Sequence, residues 1–142
     1  MNKKVYVSVV GECLVDGELD STELVTEGEF AQRNGKYLLR YKEQLASDEG
    51  ECSTIIKIDD KTVVMSRTGM ANTQMIFEKG KRHTSHYETP LGSFTINVSC
   101  EKMEIGINEN GGRVDIDYTL EINNAATIKN RLNLNIRSEA NS

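Results

Sequence analysis

No apolar run in this chain of 142 residues approaches the ~20 residues that a bilayer-spanning helix needs. Val5 to Val10 follows a basic start, Met1-Asn2-Lys3-Lys4, but Ser8 interrupts it and Glu12 follows, so it is too short and polar for a signal peptide. No membrane partner is expected, and the chain is placed in the cytoplasm. Cys13, Cys52 and Cys100 are widely spaced and form no Cys-x-x-Cys pair. That excludes a disulfide framework and a zinc knuckle, and leaves buried reduced thiols as the expectation. Positive charge is missing from one region. Between Val5 and Gln32 there is no Lys or Arg, against the acids Glu12, Asp16, Glu18, Asp20, Glu23, Glu27 and Glu29. With a formal net charge of −5, nucleic acid is not an expected partner, because nonspecific binding draws its affinity from many cations set against phosphates.

What is present describes one domain, residues 1–142. A chain of this length buries roughly 68% of its unfolded surface, enough for a core without staples. Its 37% hydrophobic and 27% charged residues are those of a soluble globular protein. There is no convincing helical period. Val5, Val7 and Val9 alternate with Tyr6 and Ser8, and Asp16-Gly17 marks a turn. A strand is expected from about Leu24 to Gln32. Asn34-Gly35 supplies the positive φ angles of a tight hairpin turn before Tyr37, Leu39 and Tyr41, which share an inward face. Ser47 to Glu51 reads as a polar loop, and Thr54, Ile56 and Ile58 form the next inward set. Regular alternation follows through Phe94, Ile96, Val98 and Cys100, then Met103, Ile105 and Ile107, then Val114 to Ile122, and finally Leu132, Leu134 and Ile136. A short helical segment around Asn124 to Lys129 remains open, and the tail Glu139 to Ser142 is expected to fray. About ten short strands joined by short turns imply an all-β antiparallel meander. One-sided burial on so many strands favours closure into a barrel, with a sandwich as the alternative.

The hairpin around Lys79-Gly80 breaks this pattern, with Arg, His, Ser, Thr, Asn and Gln on both faces. A two-residue Lys79-Gly80 loop needs Lys at positive φ, whereas a three-residue Glu78-Lys79-Gly80 loop needs only glycine there. The latter pairs Phe77 with Lys81, Met75 with His83 and Thr73 with Ser85, so His83, Ser85 and Tyr87 share the Met75 and Phe77 face; the other register brings Arg82, Thr84 and His86 there instead. Arg67 shares a face with Val63 and Met65. An inward guanidinium needs a carboxylate, carbonyls or an anionic ligand, or else a place at a barrel mouth.

Other constellations carry no chemistry. His83-x-x-His86 has metal-ligand spacing only on a helix; on a strand the two point to opposite faces, so no metal is expected. No Gly-x-Ser-x-Gly elbow or phosphate loop is present, and Asp115 and Asp117 lie opposite the apolar face of their strand.

Several segments together resemble a family of uncharacterised bacterial proteins similar to YwiB of bacilli. They are Thr54 to Ile58, Arg67-Thr68-Gly69, Met75 to Lys81, Tyr87-Glu88-Thr89-Pro90-Leu91-Gly92 and Val114 to Ile122, with the Phe77 to Gly92 region the most specific. The position after Arg67 often resembles Ser in such proteins and is Thr68 here. The resemblance covers most of the chain and implies a lipocalin-like, or calycin, closed β-barrel. It implies no reaction, cofactor or catalytic residue.

Three functions compete. The first is a non-catalytic barrel binding a small, partly apolar ligand through Arg67, His83, Ser85 and Tyr87, with no cofactor. The second is a protein-interaction module using the acidic stretch from Glu12 to Glu29 and the basic tip Lys79, Lys81 and Arg82. An enzyme with His83 as general base ranks last, because no nucleophile accompanies it. The oligomeric state stays open.

Overall fold

The computed structural model describes residues 3–44, 51–69, 72–123 and 126–138. The expected loop at Ser47 to Gly50 and the tail from Glu139 lie outside them. Ten strands follow in chain order: β1 (Lys3–Val15), β2 (Glu18–Arg33), β3 (Lys36–Gln44), β4 (Glu51–Ile58), β5 (Thr62–Thr68), β6 (Asn72–Glu78), β7 (Arg82–Thr89), β8 (Gly92–Asn108), β9 (Gly111–Ile122) and β10 (Ala126–Ser138). Each pairs antiparallel with the next, and β10 returns to β1 from Val5↔Ser138 to Leu14↔Lys129. That last ladder closes the barrel and excludes the sandwich. β10 occupies Ala126 to Lys129 as strand, so the described part of that segment forms no helix.

Local chemistry accounts for the turns. Asn34 and Gly35 sit at φ 52° and 77° between the paired Arg33 and Lys36, the primed geometry whose twist matches the flanking strands. Asp16 and Gly17 do the same between Val15 and Glu18. The alternation in β8 changes phase because of a bulge between Cys100 and Lys102; one extra residue moves the inward set from Val98 and Cys100 to Met103 and Ile105.

Calling the end that holds Lys3, Ser138 and the Asn34-Gly35 turn the lower end, the core fills the lower half. Phe30, Leu39, Ile56, Ile58, Val63, Phe77, Val98, Val114, Ile116 and Leu134 are buried there with Val5 and Val7. Tyr37 stacks on Phe30 with ring centroids 5.6 Å apart. Of the alternating apolar residues in β8, Phe94 and Ile96 stand outside this cluster: Ile96 is buried opposite Ile122, and Phe94 lies against Tyr87. Cys52 and Cys100 are buried thiols, but Cys13 is half-buried.

Two strands depart from the expected pairing. β2 begins at Glu18 rather than near Leu24. Its first residues bury almost nothing and so carry no hydrophobic alternation; the ladder to β1 holds them in strand form. Pairing of β2 with β3 runs only from Arg33↔Lys36 to Gly28↔Tyr41, and among the described residues Glu18 to Glu27 pair with β1 alone. A Cβ on Gly28 would lie 2.7 Å from the Arg40 carbonyl oxygen and 3.1 Å from Val7 Cγ2, so glycine permits the close approach at the fork. The second departure is β6–β7, which pairs Asn72 with Glu88 and Thr73 with Tyr87, two residues from the expected register. Lys81 N–H donates to the Glu78 carbonyl across the turn, and Gly80 and Lys81 bond to Cys100 of β8 instead of extending the hairpin ladder. A turn that feeds β8 cannot set the β6–β7 register. A two-residue slip conserves faces, so Tyr87 still shares the side of Thr73.

Candidate functional site: the upper end of the barrel

Above the packed core, one row of cross-strand neighbours turns polar. It runs Gly28, Tyr41, Thr54, Arg67, Thr73, Tyr87, Phe94 across β2 to β8, each residue paired with the next. Among the described residues, three buried side-chain polar atoms have no hydrogen-bond partner: Thr54 Oγ1, Arg67 Nε and Thr73 Oγ1. All three lie on this row, on adjacent strands. A buried donor without a partner costs about 1–3 kcal/mol, and such groups in a native structure call for an explanation such as a ligand.

A cavity of about 270 Å³ takes Arg67 and Thr73 into its lining. Val9, Leu24, Met65, Met75 and Leu132 give it an apolar wall, and Arg67, Thr73, Glu43, Tyr41, Thr22 and Tyr118 its polar positions. Tyr118 meets Phe77 edge-on at 4.8 Å, where the cavity gives way to the core. Glu23 and Glu43, from the two strands that part at Gly28, both line it, so the cavity reaches the slot between β2 and β3.

Among the described residues, Arg67 is the one cation in the lining, set against the carboxylates of Glu23 and Glu43. Arg67 Nη2 lies 3.5 Å from Glu43 Oε2, with the two side chains 43% and 31% exposed. So long and wet a pair contributes roughly 0–1 kcal/mol. Burial pushes the Tyr118 phenol up to about 12, with the Cys13 thiol adding to the rise and the Arg67 charge opposing it. Burial likewise raises Tyr41, while the Arg67 charge draws it back. Both phenols are protonated at neutral pH and carry a donor hydrogen.

Of the residues singled out in the sequence, the structure places Arg67 in this cavity. Tyr87 is on the same row but outside the lining, its ring 6.4 Å from Phe94. Ser85 is buried opposite Ile96, and His83 lies opposite Val98 near the lower end of β7. His83 Nε2 is 3.0 Å from Glu78 Oε1. Hydrogen bonds from His83 and then Lys81 hold the Glu78 carboxyl below the usual carboxylate range. The four residues therefore do not converge. Sequence reasoning missed Thr73, Glu43, Tyr41, Thr54 and Tyr118 as site groups. The available signal was a lone hydroxyl on an otherwise aliphatic inward face, Thr54 beside Ile56 and Ile58. No group of three or more His, Cys, Asp or Glu among the described residues is placed to hold a metal ion.

The model for a domain of unknown function, DUF1934, matches residues 7–134. The chain belongs to the DUF1934 family. The DUF1934 barrel is 25% identical over 107 residues to the uncharacterised β-barrel protein YwiB of Bacillus subtilis (strain 168), covering 75% of this chain and 74% of that protein. The crystal structure of the Bacillus subtilis ywiB protein superimposes with a TM-score of 0.87 at 20% identity, over 96% of this chain and 92% of that one. The likeness establishes the fold and assigns no activity. No helix among the described residues is long and apolar enough to cross a membrane.

Proposed function

We propose that this DUF1934 barrel is a non-catalytic, calycin-like binder of a compact molecule with an apolar body and one hydrogen-bond-accepting end, a carboxylate or carbonyl. The observation that carries the reading is Arg67 Nε, buried without a partner beside the partnerless Thr73 Oγ1 in a cavity that also has the apolar wall of Val9, Leu24, Met65, Met75 and Leu132. Both atoms donate, and an acceptor between them would satisfy both. A volume of about 270 Å³ sits just below the ~300–1,000 Å³ usual for small-molecule pockets, which sets the ligand size. His83 is bonded to Glu78 and does not line the cavity, so a general-base role has no substrate position beside it. The three free, widely spaced thiols suit the reducing cytoplasm.

The probe is octanoate, with octanamide as its neutral counterpart, titrated into ¹⁵N-labelled protein. Amide shifts centred on Arg67, Thr73 and Tyr118, abolished in Arg67→Met, support the reading. Shifts confined to the outer face, or none at millimolar concentration with either probe, would sink it.

A further inference from the structure

The upper half of β2 is a strand with one neighbour. Among the described residues, Glu18 to Glu27 bond to β1 on one side and to nothing on the other, beyond the fork at Gly28. Natural sheets blunt such an edge with Lys, Pro or a covering element, because its free N–H and C=O groups template another strand. This edge has neither Lys nor Pro between Glu18 and Glu27, and it presents Leu19 and Val25 at 64% and 69% exposure. Its charge is all of one sign: Glu18, Asp20, Glu23 and Glu27. Glu27 is held by Lys4 at 3.2 Å, while Glu18, Asp20 and Glu23 have no ion-pair partner among the described residues.

We propose that this edge receives an extended basic segment of a partner protein as an eleventh strand. Backbone bonds would supply the affinity and alternating Lys or Arg the choice of partner, the mode by which exposed edges add peptide strands. The charge pattern argues against a second copy, since two acidic edges brought together repel. Length is sufficient: the edge is longer than the mean strand of ~5–6 residues. The inference does not depend on the cavity holding a ligand, because it rests on the ladder and the charges alone.

The test uses a fluorescein-labelled ten-residue peptide in which Lys alternates with Val and Thr, and its counterpart with Glu for Lys. Anisotropy should show the Lys peptide binding and the Glu peptide not. Hydrogen exchange should slow at the amides of Leu19 to Glu27 in the complex. The variant Glu18→Lys/Asp20→Lys changes only exposed side chains outside the cavity lining, so its melt should match the parent. It should bind the Lys peptide roughly tenfold more weakly or worse and should acquire binding of the Glu peptide. Lys peptide binding without slowed exchange on β2, equal binding by the reversed variant, or no binding at millimolar peptide each overturns the proposal. A dimer in sedimentation that the reversal dissolves would overturn it in favour of a second copy.

Discussion

The two halves of this barrel are made by the same strands and differ in what fills them. In the lower half Phe30, Leu39, Ile58, Phe77 and Ile116 are buried in one apolar cluster. In the upper half the same alternation delivers Tyr41, Thr54, Arg67 and Thr73, which leave a cavity and three partnerless atoms. The lower half therefore stabilises the fold, and the upper half spends part of that stability on polar groups a packed barrel would not need. The comparison yields a gradient: truncations below should be the costliest, and replacing the polar side chains that line the cavity above should alter binding without lowering stability.

The largest effect should come from the lower core. Ile116→Ala removes a fully buried side chain and should cost about 2–5 kcal/mol in denaturant melts, through lost transfer energy and the cavity left behind. At the boundary, Tyr118 gives an alkaline signature. Its folded pKa of about 12 lies above the unfolded 10, so the native state holds the proton longer. Its contribution is complete below pH 10 and is lost as pH rises from there through 12. The loss should approach about 2–3 kcal/mol, and Tyr118→Phe should flatten that part of the pH–stability curve. At the fork, Gly28→Ala puts a methyl against the Arg40 carbonyl and Val7, and the overpacking should cost about 1–3 kcal/mol by thermal or chemical melt. A smaller effect falls at the mouth. Glu43→Gln removes the carboxylate that competes for Arg67; octanoate affinity should rise by about three- to tenfold, under 1.4 kcal/mol, while octanamide affinity stays constant.

The same contrast explains what was legible in the chain. Tyr37, Leu39, Ile56, Ile58, Val114 and Ile116 alternate because one side of each strand is dry, and dryness leaves a period of two in the residues. Asn34-Gly35 was legible because its backbone conformation admits few other residues. Arg67 could be placed on the face of Val63 and Met65 because the three alternate along one strand. Its companions could not be named, since Tyr41, Thr73 and Tyr118 reach it from strands whose relative registers depend on pairings that no local residue encodes. The β6–β7 register slipped for that reason: the hairpin opens below Thr73, and its turn bonds to Cys100 on β8. The start of β2 was hidden for the opposite reason. Glu18 to Glu23 are exposed on both faces, and a strand that buries nothing writes no pattern.

The most direct measurement of whether the upper half is kept for binding rather than for stability is Arg67→Met, by denaturant melt and by octanoate titration in parallel. Met retains much of the apolar stem, removes the partnerless Nε, and forfeits only a long, half-exposed ion pair with Glu43. The account predicts stability unchanged or raised by up to about 2 kcal/mol, together with loss of octanoate binding. Stability lowered by more than about 1 kcal/mol, with octanoate bound as before, would make Arg67 a structural residue and contradict the account.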